Sequence, residues 1–146
     1  MNHVECSRAI TDSKIKMSDP RSTSAVFDNP GRMMYRLTRF DGCVVNNQRA
    51  CDYILEKDDS LIAVELKGGN VDHAVEQIKA TLDYLKETHQ LPPRRAGLVI
   101  CTRYPSMDTK IQRLTEQIRK SHAAPLHIKT SGKPLNFDDF FGSRSV

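Results

Sequence analysis

Residues 52–67 read Asp52-Tyr53-Ile54-Leu55-Glu56-Lys57-Asp58-Asp59-Ser60-Leu61-Ile62-Ala63-Val64-Glu65-Leu66-Lys67, two largely apolar runs on either side of Asp58-Asp59. A polar pair between strand-favouring runs predicts an antiparallel hairpin with a two-residue turn. Lys57 then faces Ser60, and Asp52 falls directly opposite Glu65, with Cβ atoms about 4.5–5.5 Å apart on one face. Side chains alternate along a strand, so Lys67 shares that face. Register decides the outcome: one more residue in the turn would send Asp52 to the opposite face and dissolve the group.

Upstream, short apolar runs and the polar turn Asn46-Asn47-Gln48 extend the hairpin into a three-stranded antiparallel meander, with strands at about 33–45, 49–56 and 61–67. Residues 1–32 show weak periodicity and much turn chemistry, as in Ser18-Asp19-Pro20-Arg21-Ser22 and Asp28-Asn29-Pro30-Gly31, and predict a short helix at most, followed by loop. Downstream, Gly68-Gly69-Asn70 breaks the sheet, and Val71, Ala74, Val75, Ile78, Leu82 and Leu85 recur at helical spacing. Leu91-Pro92-Pro93 ends that helix. Ala96–Cys101 reads as a buried strand, placed by the intervening helix to pair in parallel with the hairpin's second strand. Asp108–Ser121 predicts a second helix with Ile111, Leu114 and Ile118 inward, Leu126–Thr130 a short strand, and Phe137–Phe141 a tail too apolar to float. The order predicts one α/β domain over residues 1–146, a mixed sheet with helices on its faces, divided into an N-terminal segment (1–32), a motif-bearing core (33–103) and a basic C-terminal part (104–146).

A chain of 146 residues with 38% apolar content has one ordinary domain's worth of core. The longest apolar stretch, Leu98–Cys101, is far short of the roughly 20 residues a membrane-spanning helix needs. Met1–Ile10 offers no apolar core for a signal peptide, so a cytoplasmic location is expected. Cys6, Cys43, Cys51 and Cys101 lack C-x-x-C spacing and read as reduced core thiols. The net charge of +4 conceals an acidic middle: residues 41–90 hold ten acids against five bases, and both flanks are basic.

Two carboxylates that close repel, and burial raises the cost, unless a cation lies between them. Magnesium takes one or two carboxylates together with water and phosphate oxygens. Asp52 and Glu65 are therefore candidate ligands, with the backbone carbonyl of Leu66 as a third oxygen and manganese as a substitute ion. Lys67 would position or deprotonate a water and offset charge developing on a phosphoryl group. A salt-bridge cluster is the plainer reading of the same residues. Asp12-Ser13-Lys14 and Asp108-Thr109-Lys110 share the acid-x-Lys pattern, but neither has a hairpin delivering a second acid.

Asp52, then Glu65-Leu66-Lys67 on the next strand, then a glycine pair and a helix, resemble the central motif of the PD-(D/E)XK, or restriction-endonuclease-like, nuclease superfamily. The resemblance covers about residues 33–103. It implies a restriction-endonuclease-like core and metal-dependent hydrolysis of nucleic acid, DNA in the first instance, with Asp52 and Glu65 as ligands, Lys67 as the catalytic lysine and internal rather than terminal cutting. Several members carry a glutamine on the helix after the lysine, which Gln77 matches; His73 lies one turn earlier on that face. Asp41 is a further acid near the level of Asp52, or a turn-forming Asp-Gly. The chain departs from the pattern twice. Cys51 stands where a proline precedes the first acid, and no N-terminal helix is marked to carry a supporting glutamate, for which Glu5 is the nearest candidate.

A nucleic acid over the acidic hairpin would run between Arg36 and Arg39 on one side and Arg94, Arg95, Arg103, Arg113, Arg119 and Lys120 on the other, through sequence-independent phosphate contacts. Cutting both strands of a duplex would call for a homodimer. The alternatives are a non-catalytic nucleic-acid- or protein-binding domain on the same scaffold, and a structural protein with a chance triad.

Overall fold

The computed structural model describes residues 5–19, 21 and 23–142; Met1–Val4, Pro20, Ser22 and the last four residues, on which parts of the terminal and turn readings fall, lie outside them. Eight strands, two helices and a 3-10 turn follow in the order β1 (Ser7–Ile10), β2 (Lys14–Ser18), β3 (Ser24–Asp28), β4 (Tyr35–Arg39), β5 (Tyr53–Lys57), β6 (Ser60–Leu66), α1 (Val71–Glu87), β7 (Arg94–Cys101), α2 (Thr109–His122), β8 (Leu126–Thr130) and the turn Phe137–Phe140. Six strands form one mixed sheet in the order β1-β4-β5-β6-β7-β8, and β2 and β3 form a separate hairpin. The joins from β1 through β6 are antiparallel, and β6-β7 and β7-β8 are parallel. The chain is thus α/β with an antiparallel meander, as the pattern predicts.

Both helices lie on one face of the sheet, not on both. Residues of α1 and α2 share a core with Ile54, Leu61, Ala63 and Val99. Ile15, Met17 and Phe27 of the β2–β3 hairpin pack with Phe137 and Phe140 over Leu55, Ile62, Val64 and Leu98 on the other face. Chirality accounts for this: successive parallel crossovers of the same hand, stepping the same way along a sheet, put both connecting helices on one side. The second face must still leave water, and the hairpin and the docked tail bury it. Covered on both faces, β6 is buried at all seven positions.

Three sequence expectations are corrected. Residues 1–32 hold β1, β2 and β3 rather than a short helix and loop. Lys14–Ser18 alternates exposed and buried, and beyond its last pair, Ser18↔Ser24, the Asp19 amide donates to the Thr23 carbonyl at 3.1 Å. The strand expected over 33–45 stops at Arg39. Phe40, Val44 and Val45 are buried by a tight turn in which the amides of Val44 and Val45 donate to the Phe40 carbonyl at 3.0 and 3.1 Å. The next strand accordingly begins at Tyr53 rather than near 49. Lastly, Cys6 and Cys43 are joined by a disulfide, whereas Cys51 and Cys101 are free and buried. The spacing of the first pair gave no sign of the bond, because β1 reaches the 40–45 turn only through its pairing with β4.

Close packing of α1 on the sheet depends on Gly97. A Cβ there would stand 2.7 Å from Ile78 Cγ2 and 2.9 Å from Leu126 Cδ1. No helix among the described residues is long and apolar enough to cross a membrane.

Candidate active site

The β5–β6 pairs run from Tyr53↔Val64 to Lys57↔Ser60, so continuing the ladder one step brings Asp52 against Glu65. Asp58 closes the turn in the left-handed region at φ 53°, which aspartate tolerates better than most residues. At the open end each carboxylate bonds the opposite strand. The Asp52 amide donates to Glu65 Oε1 at 3.0 Å, and the Leu66 amide donates to Asp52 Oδ2 at 2.9 Å. Backbone donors at the ladder's end are thereby satisfied by side chains, and both carboxylates are held rigidly.

Helix α1 fixes the approach to Asp52. Thr81 Oγ1 accepts from the Cys51 amide at 2.8 Å, and Gln77 Nε2 donates to the Ala50 carbonyl at 3.3 Å. Gln77 Oε1 is buried and without a hydrogen-bond partner. On the other side, Lys67 extends the β7 pairing through its amide, which donates to the Ile100 carbonyl at 2.8 Å. Its Nζ lies 3.9 Å from Glu65 Oε2, a charge contact too long for a hydrogen bond. Asn70 then caps α1, whose positive end opens on the same edge of the sheet.

Glu65 is 2% exposed, and burial, reinforced by the neighbouring Asp52 charge and only partly opposed by Lys67, pushes its carboxyl up to about 9. Asp52 is raised too, chiefly by burial, while the Leu66 amide and a hydrogen bond from Glu65 oppose the rise. Without a cation, burial therefore favours a proton on Glu65, the more enclosed of the two, while Asp52 is raised but only half-buried. The Lys67–Glu65 contact is then not an ion pair between full charges. Burial also pushes the Cys51 thiol up, which leaves it inert.

Two carboxylates, each with one oxygen committed to a backbone amide, fit a magnesium ion that keeps most of its water. No group of three or more His, Cys, Asp or Glu among the described residues is arranged to hold a metal. Asp41 is exposed, and lines a groove of about 310 Å³ with Asp52, Asp19 and Arg39. His73, half-buried in the first turn of α1, has its amide capped by Asn70 and Asp72. Glu5 lies in an exposed segment ahead of β1, not on a helix.

The predicted basic path does not gather on this edge. Arg39 and the exposed Arg103 stand at it. Arg36 pairs with Glu56, four residues along the strand and roughly 13 Å away at about 3.3 Å per residue. Arg94 pairs with Ser60 at the far end and stacks over Phe141 at 4.8 Å, and Arg95 holds the Pro92 and His122 carbonyls. Arg113 lines the groove between the helices, while Arg119 and Lys120 bond to Glu116 on their own helix. Sequence reasoning missed Asp19, whose charge raises Asp52 across the hairpin face, because nothing local ties residue 19 to residue 52. Comparison with models of known families, with curated proteins and with solved structures finds no match to this chain.

Proposed function

We propose that the protein is a metal-dependent nuclease that hydrolyses phosphodiester bonds of nucleic acid, DNA by preference, at the Asp52–Glu65–Lys67 edge of its sheet, on a restriction-endonuclease-like core. The observation that carries this reading is the carboxylate pair of buried Glu65 and half-buried Asp52, in which each acid is bound to the opposite strand's amide, with an ammonium 3.9 Å from Glu65. Such a pair costs stability when both members ionise, and a divalent cation relieves the cost.

Asp52 and Glu65 would hold the ion, with the Leu66 carbonyl in reach of the same edge. When bound, magnesium supplies Lewis-acid charge to the phosphoryl oxygens and acidifies the attacking water. Holding the ion would require Glu65 to be ionised, which would make the pair fully anionic. Lys67 stays on the shared face, orients the nucleophile and offsets charge developing on the phosphoryl group. Gln77 acts as a positioning residue: it holds the Ala50 carbonyl, and so the approach of Asp52, while its unpartnered Oε1 is available to orient a water.

A second reading, a non-catalytic nucleic-acid- or protein-binding domain on this scaffold, is favoured by one observation, the lack of a third metal-ligating side chain among the described residues. The experiment that decides is incubation with supercoiled, linear duplex and single-stranded DNA in magnesium, manganese or chelator, alongside Glu65→Ala and Lys67→Ala. Metal-dependent cleavage lost in both variants supports the nuclease. Binding without cleavage in either metal supports the scaffold reading.

A further inference from the structure

Two grooves meet beside the β2–β3 hairpin, the first on the sheet face that carries it and the second at the open edge of the sheet, where Asp52 stands. The first, of about 400 Å³, is lined by Arg8, Lys16 and Arg39, with Glu5 the one acid among its described lining residues. The second, of about 310 Å³, shares Ser18, Arg39 and Tyr53 with the first and adds Asp19, Asp41 and Asp52 together with Arg21, which bonds Asp19. Strand pairing explains why Arg8 faces this side: it lies opposite Leu37, which belongs to the hairpin-side core.

Among the described residues, Arg8, Lys16 and Arg39 enter no ion pair, whereas Lys14, Lys57 and Lys110 each have an acidic partner. The wall they stand on is pinned, since Cys6 lines the first groove and its disulfide partner Cys43 adjoins Gly42 of the second. Charge shifts along the path: the bases without an ion pair among the described residues line the first groove, and in the second three acids outnumber Arg21, which is itself bonded to Asp19, and the shared Arg39. A polyanion would rest on the bases and meet the acids only where a cation mediates.

We propose that the two grooves form one track for the phosphate backbone of a single nucleic-acid strand, with Arg8, Lys16 and Arg39 holding phosphates and the acidic section receiving the phosphate to be cut. This rests on the nuclease reading for its last step only. Each groove has the volume of a small-ligand site, which suits one strand lying along it.

The test uses the full chain in chelator, so that binding is read without cleavage. The probe is a fluorescent oligothymidylate of about twelve nucleotides, within the ~4–16 that single-strand sites span. The combined Arg8→Ala and Lys16→Ala variant should weaken binding about tenfold at low salt and flatten the plot of log K against log salt by about 1.4, roughly 0.7 per lost phosphate contact. Both side chains are exposed, so the melting temperature should not move. Arg8→Lys with Lys16→Arg should restore binding, and Lys133→Ala, in the turn after β8, should change nothing. Unchanged affinity and slope in the double alanine variant, or tighter binding of a duplex of the same length, overturns the track. Groove-dependent binding with no cleavage in either metal keeps the track and removes the nuclease. Cleavage of single strands that survives the double substitution at full kcat/KM removes the track and keeps the nuclease.

Discussion

Replacing Glu65 by glutamine tests the electrostatics of the site without reference to any substrate. Glutamine keeps the Oε1 that accepts from the Asp52 amide, so the ladder end stays closed. What disappears is a buried carboxyl held at about 9 against an ordinary 4.5. The folded state binds this proton more tightly than the unfolded chain does. Glu65's contribution to stability is therefore full below about pH 4.5 and is lost progressively as the pH rises toward 9. At about 1.4 kcal/mol per unit, the wild type should lose about 3 kcal/mol between about pH 5 and about pH 7.5 that the glutamine variant keeps. Urea unfolding in chelator across that range measures the difference directly. A stability gap between the two proteins that does not widen with pH would refute the assignment of a proton to Glu65.

The same proton makes metal binding pH-dependent. Loading requires Glu65 to ionise, so the apparent magnesium affinity should rise about tenfold per pH unit up to about 9, with one proton released per ion. Stabilisation by magnesium should follow that affinity in the wild type and vanish in the glutamine variant.

Lys67→Ala should fold as the wild type does, because among the described residues its ammonium makes one long charge contact, at 3.9 Å, yet lose the proposed nuclease activity by at least about a hundredfold in a single-turnover cleavage assay. Gly97→Ala should cost about 1–3 kcal/mol in denaturant unfolding, since its Cβ would meet Ile78 and Leu126 at under 3 Å, and Ile78→Val should recover part of the loss. Reducing the Cys6–Cys43 bond frees the unfolded chain from a loop that joins residues 37 apart and should cost about 4 kcal/mol, read as a midpoint shift between oxidised and reduced samples. Thr81→Val leaves the buried Cys51 amide without its acceptor and should cost about 1–3 kcal/mol by the same measurement.

Legibility in the sequence followed the range of the interactions. The hairpin register, and with it the Asp52–Glu65 pair, needed only a two-residue turn and the period of a strand, and both act within sixteen residues. The apolar stripe of α1 was equally local, and every residue in it is buried. The 40–45 segment misled because its apolar run satisfies a strand and a buried turn equally well, and Phe40 settles the matter only by packing edge-on against Tyr84 of α1. Three features lay out of reach: the Cys6–Cys43 bond, the placement of β2 and β3 on the far face, and the position of Asp19. Each depends on where β1 and the hairpin dock, which residues 5–32 do not encode in their own periodicity.

Those same distant contacts give the site its asymmetry. Asp52 ends a strand whose helix-side neighbours are Gln77 and Thr81, and its groove is walled by the hairpin residues Ser18 and Asp19. Glu65, one strand further in, is nearly sealed from water, and Lys67 beyond it is only part-exposed. Two chemically similar acids thus differ in setting, with Asp52 half-buried beside the groove and Glu65 enclosed and holding its proton up to about 9. In that arrangement a substrate or ion arriving along the groove meets Asp52 first, and the second acid joins only by surrendering its proton. A cation that binds must therefore do so in competition with a proton, and the pH dependence of binding reports on the geometry of the pair rather than on either acid by itself.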